Sequence, residues 1–233
     1  KAAARIMSGS TIDELKTEGL LPPSDGSRVP LDSPVSVKEA VLPFKRFRTK
    51  DGQTVDSVLG PEMRSTGEVM GIDKDFPTAF AKSQAAAYGG MPLSGTVFIS
   101  VADSDKRAVI LPAHRLQELG FSLVETEGTA EILARNGINV RIVNKYSETQ
   151  ASGARNIVDL INDGEIDIIV NTPSGRSARA DGYEIRAAAV AADKALFTTI
   201  AVLGAAVSAM DAVRQGFDVR SLQEYAADRA ARG

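Results

Sequence analysis

Four short polar stretches in the second half of the chain carry the groups that bind an anion. Asp103-Ser-Asp-Lys106, Thr126-Glu-Gly-Thr129, Lys145 and Asn171-Thr-Pro-Ser-Gly-Arg176 supply hydroxyls, an amide and three cations, with glycines among them. Phosphate needs N–H and O–H donors with compact positive charge beside them, and the free amides of a helix start provide more of both. Taken singly, each stretch has a plainer explanation. Thr126 or Thr129 would cap a helix, Lys106 and Lys145 would be solvated surface charges, and Ser174-Gly175-Arg176 would be a turn. The glycine between hydroxyl and guanidinium nonetheless allows backbone to approach an anion closely. Recurrence of such groups behind successive strands favours one shared phosphate site.

No catalytic set stands out. The single histidine, His114, sits beside Arg115 on an expected helix and reads as exposed, and Asp103, Asp105 and Asp181 are accounted for by caps and turns. With no cysteine there is no disulfide and no thiolate metal ligand, and no histidine cluster replaces them. No catalytic residue and no metal ligand is therefore assigned.

These stretches need a frame. From Gly95 onward short apolar runs alternate with helical spacing, the pattern of a doubly wound five-stranded parallel sheet, an α/β fold. The expected strands are Thr96 to Val101, Phe121 to Glu125, Val140 to Asn144, Ile166 to Asn171 and Leu196 to Thr199. Helices are expected over Lys106 to Leu119, Thr129 to Asn136, Asn156 to Asp163, Tyr183 to Ala192 and Ile200 to Gln215, with Pro112 kinking or delaying the first. Gly120, Gly137, Gly164 and Gly216 fall at their C-terminal ends. In such a sheet ligands sit beyond the carboxyl ends of the strands, where the polar stretches fall. Before Gly95 the pattern is less regular. Two short helices open the chain, the second capped by Ser10 or Thr11 and ending at Gly19; Val35 to Phe44 alternates like an edge strand; Gly60 to Gly67 reads as an ordered loop; and Phe76 to Tyr88 is helical. The break at Gly89-Gly90-Met91-Pro92 divides the chain into 1–90 and 91–233.

The 233 residues are 43% hydrophobic and 24% charged, with formal net charge −3, which disfavours general nucleic-acid binding and leaves any anionic ligand to a local site. No apolar run approaches the ~18 residues of a membrane span. The absence of cysteine suits a reducing compartment, so a cytoplasmic setting is expected, and the opening Lys1-Ala-Ala-Ala-Arg-Ile-Met7 lacks a signal-peptide pattern and reads as the end of a helix continued from upstream.

Longer stretches carry a family resemblance. Val37-Lys-Glu-Ala-Val-Leu-Pro-Phe44, Leu59-Gly-Pro-Glu-Met-Arg-Ser-Thr-Gly-Glu-Val-Met-Gly71, Phe80-Ala-Lys-Ser-Gln84, Thr126-Glu-Gly-Thr-Ala130 and Asn171-Thr-Pro-Ser-Gly-Arg176 resemble, in order and spacing, the large subunit of carbamoyl-phosphate synthetase. The resemblance implies that 1–90 is the α+β tail of the second ATP-grasp unit, with the ATP-grasp core upstream of Lys1, and that 91–233 is a regulatory domain similar in fold to methylglyoxal synthase. The chain by itself is then expected to lack synthetase activity. The family makes carbamoyl phosphate from bicarbonate, glutamine-derived ammonia and ATP, for pyrimidine and arginine synthesis, using Mg or Mn and K and a glutaminase small subunit.

Family effector contacts map to Lys106, Thr126, Thr129, Lys145 and Asn171, with Ser100 and Arg176 as further candidates, for UMP or IMP. Glu39, Leu42, Leu59 and Thr198 map to an ornithine site at the junction of the two parts. Glu127 stands where some members carry histidine, Pro173 where they carry a hydroxyl residue, and Phe197 where they carry an acid. Two other readings stay open: a methylglyoxal-synthase-like lyase acting on dihydroxyacetone phosphate, and a homo-oligomerisation module.

Overall fold

Burial alternates residue by residue along Val35–Val41 and is continuous along Ile168–Thr172. The computed structural model describes residues 1–21, 31–42, 66–149, 153–172 and 176–232, without the side chains of 176–181 and 229–232. Two compact units result, Lys1–Ser33 and Pro34–Gly233.

The first unit holds α1 (Ala2–Met7) and α2 (Ile12–Thr17). Thr11 caps α2 as expected, its hydroxyl accepting from the Glu14 N–H while the Glu14 carboxylate accepts from the Thr11 N–H, so two end donors are satisfied reciprocally. Arg5 grips Glu18 through two parallel bonds of 2.8 and 2.7 Å, and Leu15 is fully buried.

The second unit begins with an antiparallel pair, β1 (Val35–Val41) and β2 (Gly67–Asp73), whose outer faces are exposed. The strand β2 was not expected; the loop assigned to Gly60–Gly67 lies outside the described residues up to position 65, and Gly67 itself already belongs to the strand. Gly67 and Gly71 hide the strand signal, because glycine is poor in strands. Gly71 is required by close packing: a Cβ there would lie 2.0 Å from the Ala79 carbonyl oxygen and 2.6 Å from the Ser83 nitrogen, both on α3 (Phe76–Tyr88). Asp75 caps α3, and Gly89 ends it in the left-handed conformation, so the break expected there is a turn leading to the sheet.

The sheet is parallel throughout, in the order β5 (Arg141–Ile142), β4 (Ser122–Glu125), β3 (Thr96–Val101), β6 (Ile168–Thr172) and β7 (Ala195–Phe197). One face is packed by α4 (Ile110–Glu118), α5 (Glu127–Arg135) and α9 (Ile200–Gln215), through Leu116, Leu133 and Leu203. The other is packed by α7 (Ile157–Asn162) and α8 (Arg176–Ala191), through Ile161 and Ile185. Phe80 and Ala81 of α3 join the first of these cores, so the hairpin is carried on α9.

The amino edge is clamped by Asp167. Its Oδ2 accepts from the Thr96 N–H at 2.8 Å, its own N–H donates to the Thr96 carbonyl, and its Oδ1 faces Lys194 at 3.7 Å. Gly95 makes room for it, since a Cβ there would stand 2.0 Å from Oδ2. A last helix, α10 (Leu222–Arg232), returns to the hairpin, where the Tyr225 hydroxyl donates to the Ile72 carbonyl at 2.9 Å.

The five strands and their connecting helices are those expected, with corrected bounds. The helix placed from Lys106 starts at Ile110, after a 3-10 turn at Asp103–Asp105; Pro112 falls in its first turn, where a missing N–H costs nothing, and so delays the helix without kinking it. The strand placed over Val140–Asn144 shrinks to two residues plus a bridge from Asn144 to Asn156. The helix placed from Tyr183 starts at Arg176, and α6 (Tyr146–Thr149) and α10 were not foreseen. Leu196–Thr199 becomes Ala195–Phe197, and Val35–Phe44 stops at Val41.

Two glycine substitutions test the packing. Gly71→Ala is expected to lower the urea-unfolding stability by about 3 kcal/mol, the upper end of overpacking costs. Gly204→Ala on α9, where a Cβ meets nothing within 4 Å, is expected to raise it by about 0.5 to 1 kcal/mol.

Candidate functional site

Strand order reverses about β3, whose neighbours are β4 on one side and β6 on the other. This is the switch point at which open parallel sheets hold ligands. Register sets Ser100 beside Asn171 and Val101 beside Thr172 across the β3–β6 pair. Thr172 is tied in place by the Ala102 N–H, which reaches both its carbonyl and its hydroxyl at 2.9 and 3.1 Å.

Lys106 and the Thr126–Thr129 turn come together. The Lys106 ammonium lies 3.5 Å from where a Cβ on Gly128 would stand, at the first turn of α5, and is half-buried while bound to Asp103 at 2.7 Å. It holds the Asp103 carboxyl below its usual range, chiefly through that hydrogen bond. Thr126 takes the N-cap position of α5, yet its side chain makes no capping bond; Thr126 and Thr129 are both buried. The capping explanation therefore leaves the Thr126 hydroxyl without a role.

Asn171 is buried at the end of β6, and its Oδ1 accepts from Arg186 of α8 at 3.2 Å. That bond uses the acceptor end of the amide, and no hydrogen bond from its NH₂ is formed among the described residues. Arg186 was not among the expected residues. No local motif marks it, because only the fold of α8 onto β6 brings it 15 residues back.

Lys145 follows β5 at the same edge, but its ammonium is paired with Glu148 at 3.1 Å and its N–H donates to the same carboxylate. These bonds hold Glu148 below its usual range, the backbone N–H foremost. Arg176 is the first residue of α8; its side chain and residues 173–175 lie outside what is described. His114 is exposed and faces Glu118 at 3.3 Å. Among the described residues no cluster of His, Cys, Asp or Glu could hold a metal ion, and no helix is long and apolar enough to cross a membrane.

Away from the switch point, a cavity of about 780 Å³ opens between the hairpin, α3 and the β7 edge. Glu39, Leu42, Tyr88, Asp193 and Phe197 are among its lining. Glu39 is raised above the usual carboxylate range by burial, against the opposing bond from Gln84 Nε2 at 2.9 Å. Of the four residues assigned by resemblance to an ornithine site, Glu39 and Leu42 line this cavity; Thr198 is exposed beyond β7 and is not among its lining, and Leu59 lies outside the described residues.

One buried acid was missed. Glu125 ends β4 with no exposed surface, and among the described residues neither carboxyl oxygen has a hydrogen-bond partner. Burial alone pushes its carboxyl up to about 8. In the unfolded chain the same group releases its proton near 4.3, so stability is full below that value and falls as pH rises towards 8. Glu125→Gln is expected to remove this slope, raising the melting temperature above that of the parent at pH 8 while bringing the two closer together at pH 5.

Residues 108–198 match the MGS-like domain family. The chain is 72% identical over its whole length to the carbamoyl phosphate synthase large chain of Clavibacter michiganensis subsp. michiganensis, of which it covers 21%. Identity to that of Clavibacter sepedonicus is also 72%, again with 100% of this chain and 21% of the relative covered. With the large chain of Kineococcus radiotolerans identity is 63%, over 97% of this chain and 21% of the relative. The chain thus spans about a fifth of the length of the curated relatives it matches. An MGS-like parallel sheet inside a sequence similar throughout to these proteins places the chain in the family of carbamoyl phosphate synthase large chains, over the stretch it covers.

Proposed function

We propose that this chain is the regulatory end of a carbamoyl phosphate synthase, with residues 91–233 binding a nucleoside monophosphate such as UMP or IMP and residues 1–90 forming the tail of its second ATP-grasp unit. The whole enzyme would be a ligase making carbamoyl phosphate from bicarbonate, glutamine-derived ammonia and ATP, beside a glutaminase subunit. ATP, Mg or Mn and K would serve that reaction, and no residue of this chain is assigned to them.

The observation that carries the effector reading is the meeting of the Lys106 ammonium with the first turn of α5, where Thr126 leaves its hydroxyl uncommitted to a cap. Helix-start amides, two hydroxyls and a cation form a phosphate's donor set, and Asn171 brings an amide donor from the other side of the switch point. Lys145 would join by exchanging its Glu148 partner for the ligand. The cavity at the β7 edge would take ornithine, whose ammonium groups suit Glu39 and whose methylene chain suits Leu42 and Phe197. Its place between the α3 side and the strand that feeds α9 would let one ligand alter how the hairpin sits on the sheet.

Calorimetric titration of UMP and IMP tests the first site. Lys106→Ala is expected to weaken binding by about tenfold or more, the loss of a charge-assisted hydrogen bond. Equal affinity in the parent and Lys145→Ala would remove Lys145 from the site, and absence of binding in the parent would remove the site. For the second, ornithine is expected to raise the melting temperature of the parent but not of Glu39→Gln. An equal rise in both would take Glu39 out of it.

A further inference from the structure

An unpaired carboxyl inside a protein is costly and calls for a use. Glu125 stands immediately before the N-cap of α5, and its cross-strand partners are Ile99 of β3 and Ile142 of β5. Its side chain shares a sheet face with Leu123, two residues back, which is the face packed by α4 and α5. Charge on the surrounding elements points away from it. On α4, His114, Arg115 and Glu118 are exposed; on α5, Glu127, Glu131 and Arg135 are exposed; Arg141 of β5 is exposed; and β3 carries no charge. Lys106, half-buried at the first turn of α5, is engaged with Asp103.

We propose that the protonation state of Glu125 gates the anion site at the start of α5. Un-ionised, it leaves the helix-start amides and Lys106 to a phosphate-bearing ligand. Ionised, it sets a fixed negative charge in the apolar wall behind the same turn, where water screens it poorly, and it competes for the positive end of the helix. Linkage requires the reverse as well: a bound phosphate makes Glu125 hold its proton more tightly. The burial that brings the group to about 8 puts the transition just above neutrality, so modest alkalinisation releases the ligand.

The gate rests on the phosphate site proposed above, and UMP titration at pH 7 and pH 9 separates the two. The second ionisation of the ligand's phosphate, near 6, is already about nine-tenths complete at pH 7 and so changes little between the two values. The parent is expected to lose about tenfold in affinity between them, the change for a group one unit beyond its midpoint. Glu125→Gln, permanently neutral, is expected to change by less than about twofold, and Glu125→Met, a neutral side chain of similar length, serves if the amide does not fold. An equal loss in parent and variants would overturn the gate and leave the phosphate site standing. Absence of binding in the parent and variants at both values would overturn both.

Discussion

The parallel register of β3 with its two neighbours is the constraint from which the rest of the second unit follows. Because β3 pairs with β4 and β6 in the same direction, Ile99 meets Glu125 and Ser100 meets Asn171 at one edge of the sheet. The helices that make these crossovers must pack on opposite faces, and each face has its own core, one through Leu116, Leu133 and Leu203 and the other through Ile161 and Ile185. Polar groups from loops far apart in sequence are thereby collected at the carboxyl edge.

The hairpin depends on that sheet through α3. Gly71 lets β2 lie against the backbone of α3, and Phe80 and Ala81 carry the same helix into the core shared with α9. A cavity is left where α3, the hairpin and the β7 edge do not fill the space between them, and a half-buried carboxylate, Glu39, is held there by Gln84. The two candidate sites therefore lie at different margins of one unit, joined by packed elements.

Much of this was legible in the sequence because parallel strands covered on both faces read as nearly continuous apolar runs, as in Thr96–Val101 and Ile168–Thr172. Strand β2 was not legible: of its two glycines, Gly71 makes room for α3, and that requirement appears only when the helix is in place. The start of α8 was obscured by Ser174-Gly175, which look like a turn. Lys106, Thr126 and Asn171 were visible from chemistry and position, whereas Arg186 and Glu125 were not. Arg186 reaches Asn171 from a helix face with no motif of its own, and Glu125 looks like any acid beside a helix start until its burial is known. Lys145 was grouped with Lys106 by position behind a strand, yet position did not reveal its pairing with Glu148.

Asp167 links the beginnings of three strands, bonding to Thr96 at the start of β3, standing just ahead of β6, and facing Lys194 just ahead of β7. With Gly95 giving way to its carboxylate, no side chain wedges those beginnings apart. Because the ladder itself holds neighbouring strands roughly 4.8 Å apart, a start pinned by one carboxylate fixes the offset with which Ser100 and Asn171 emerge side by side at the far margin.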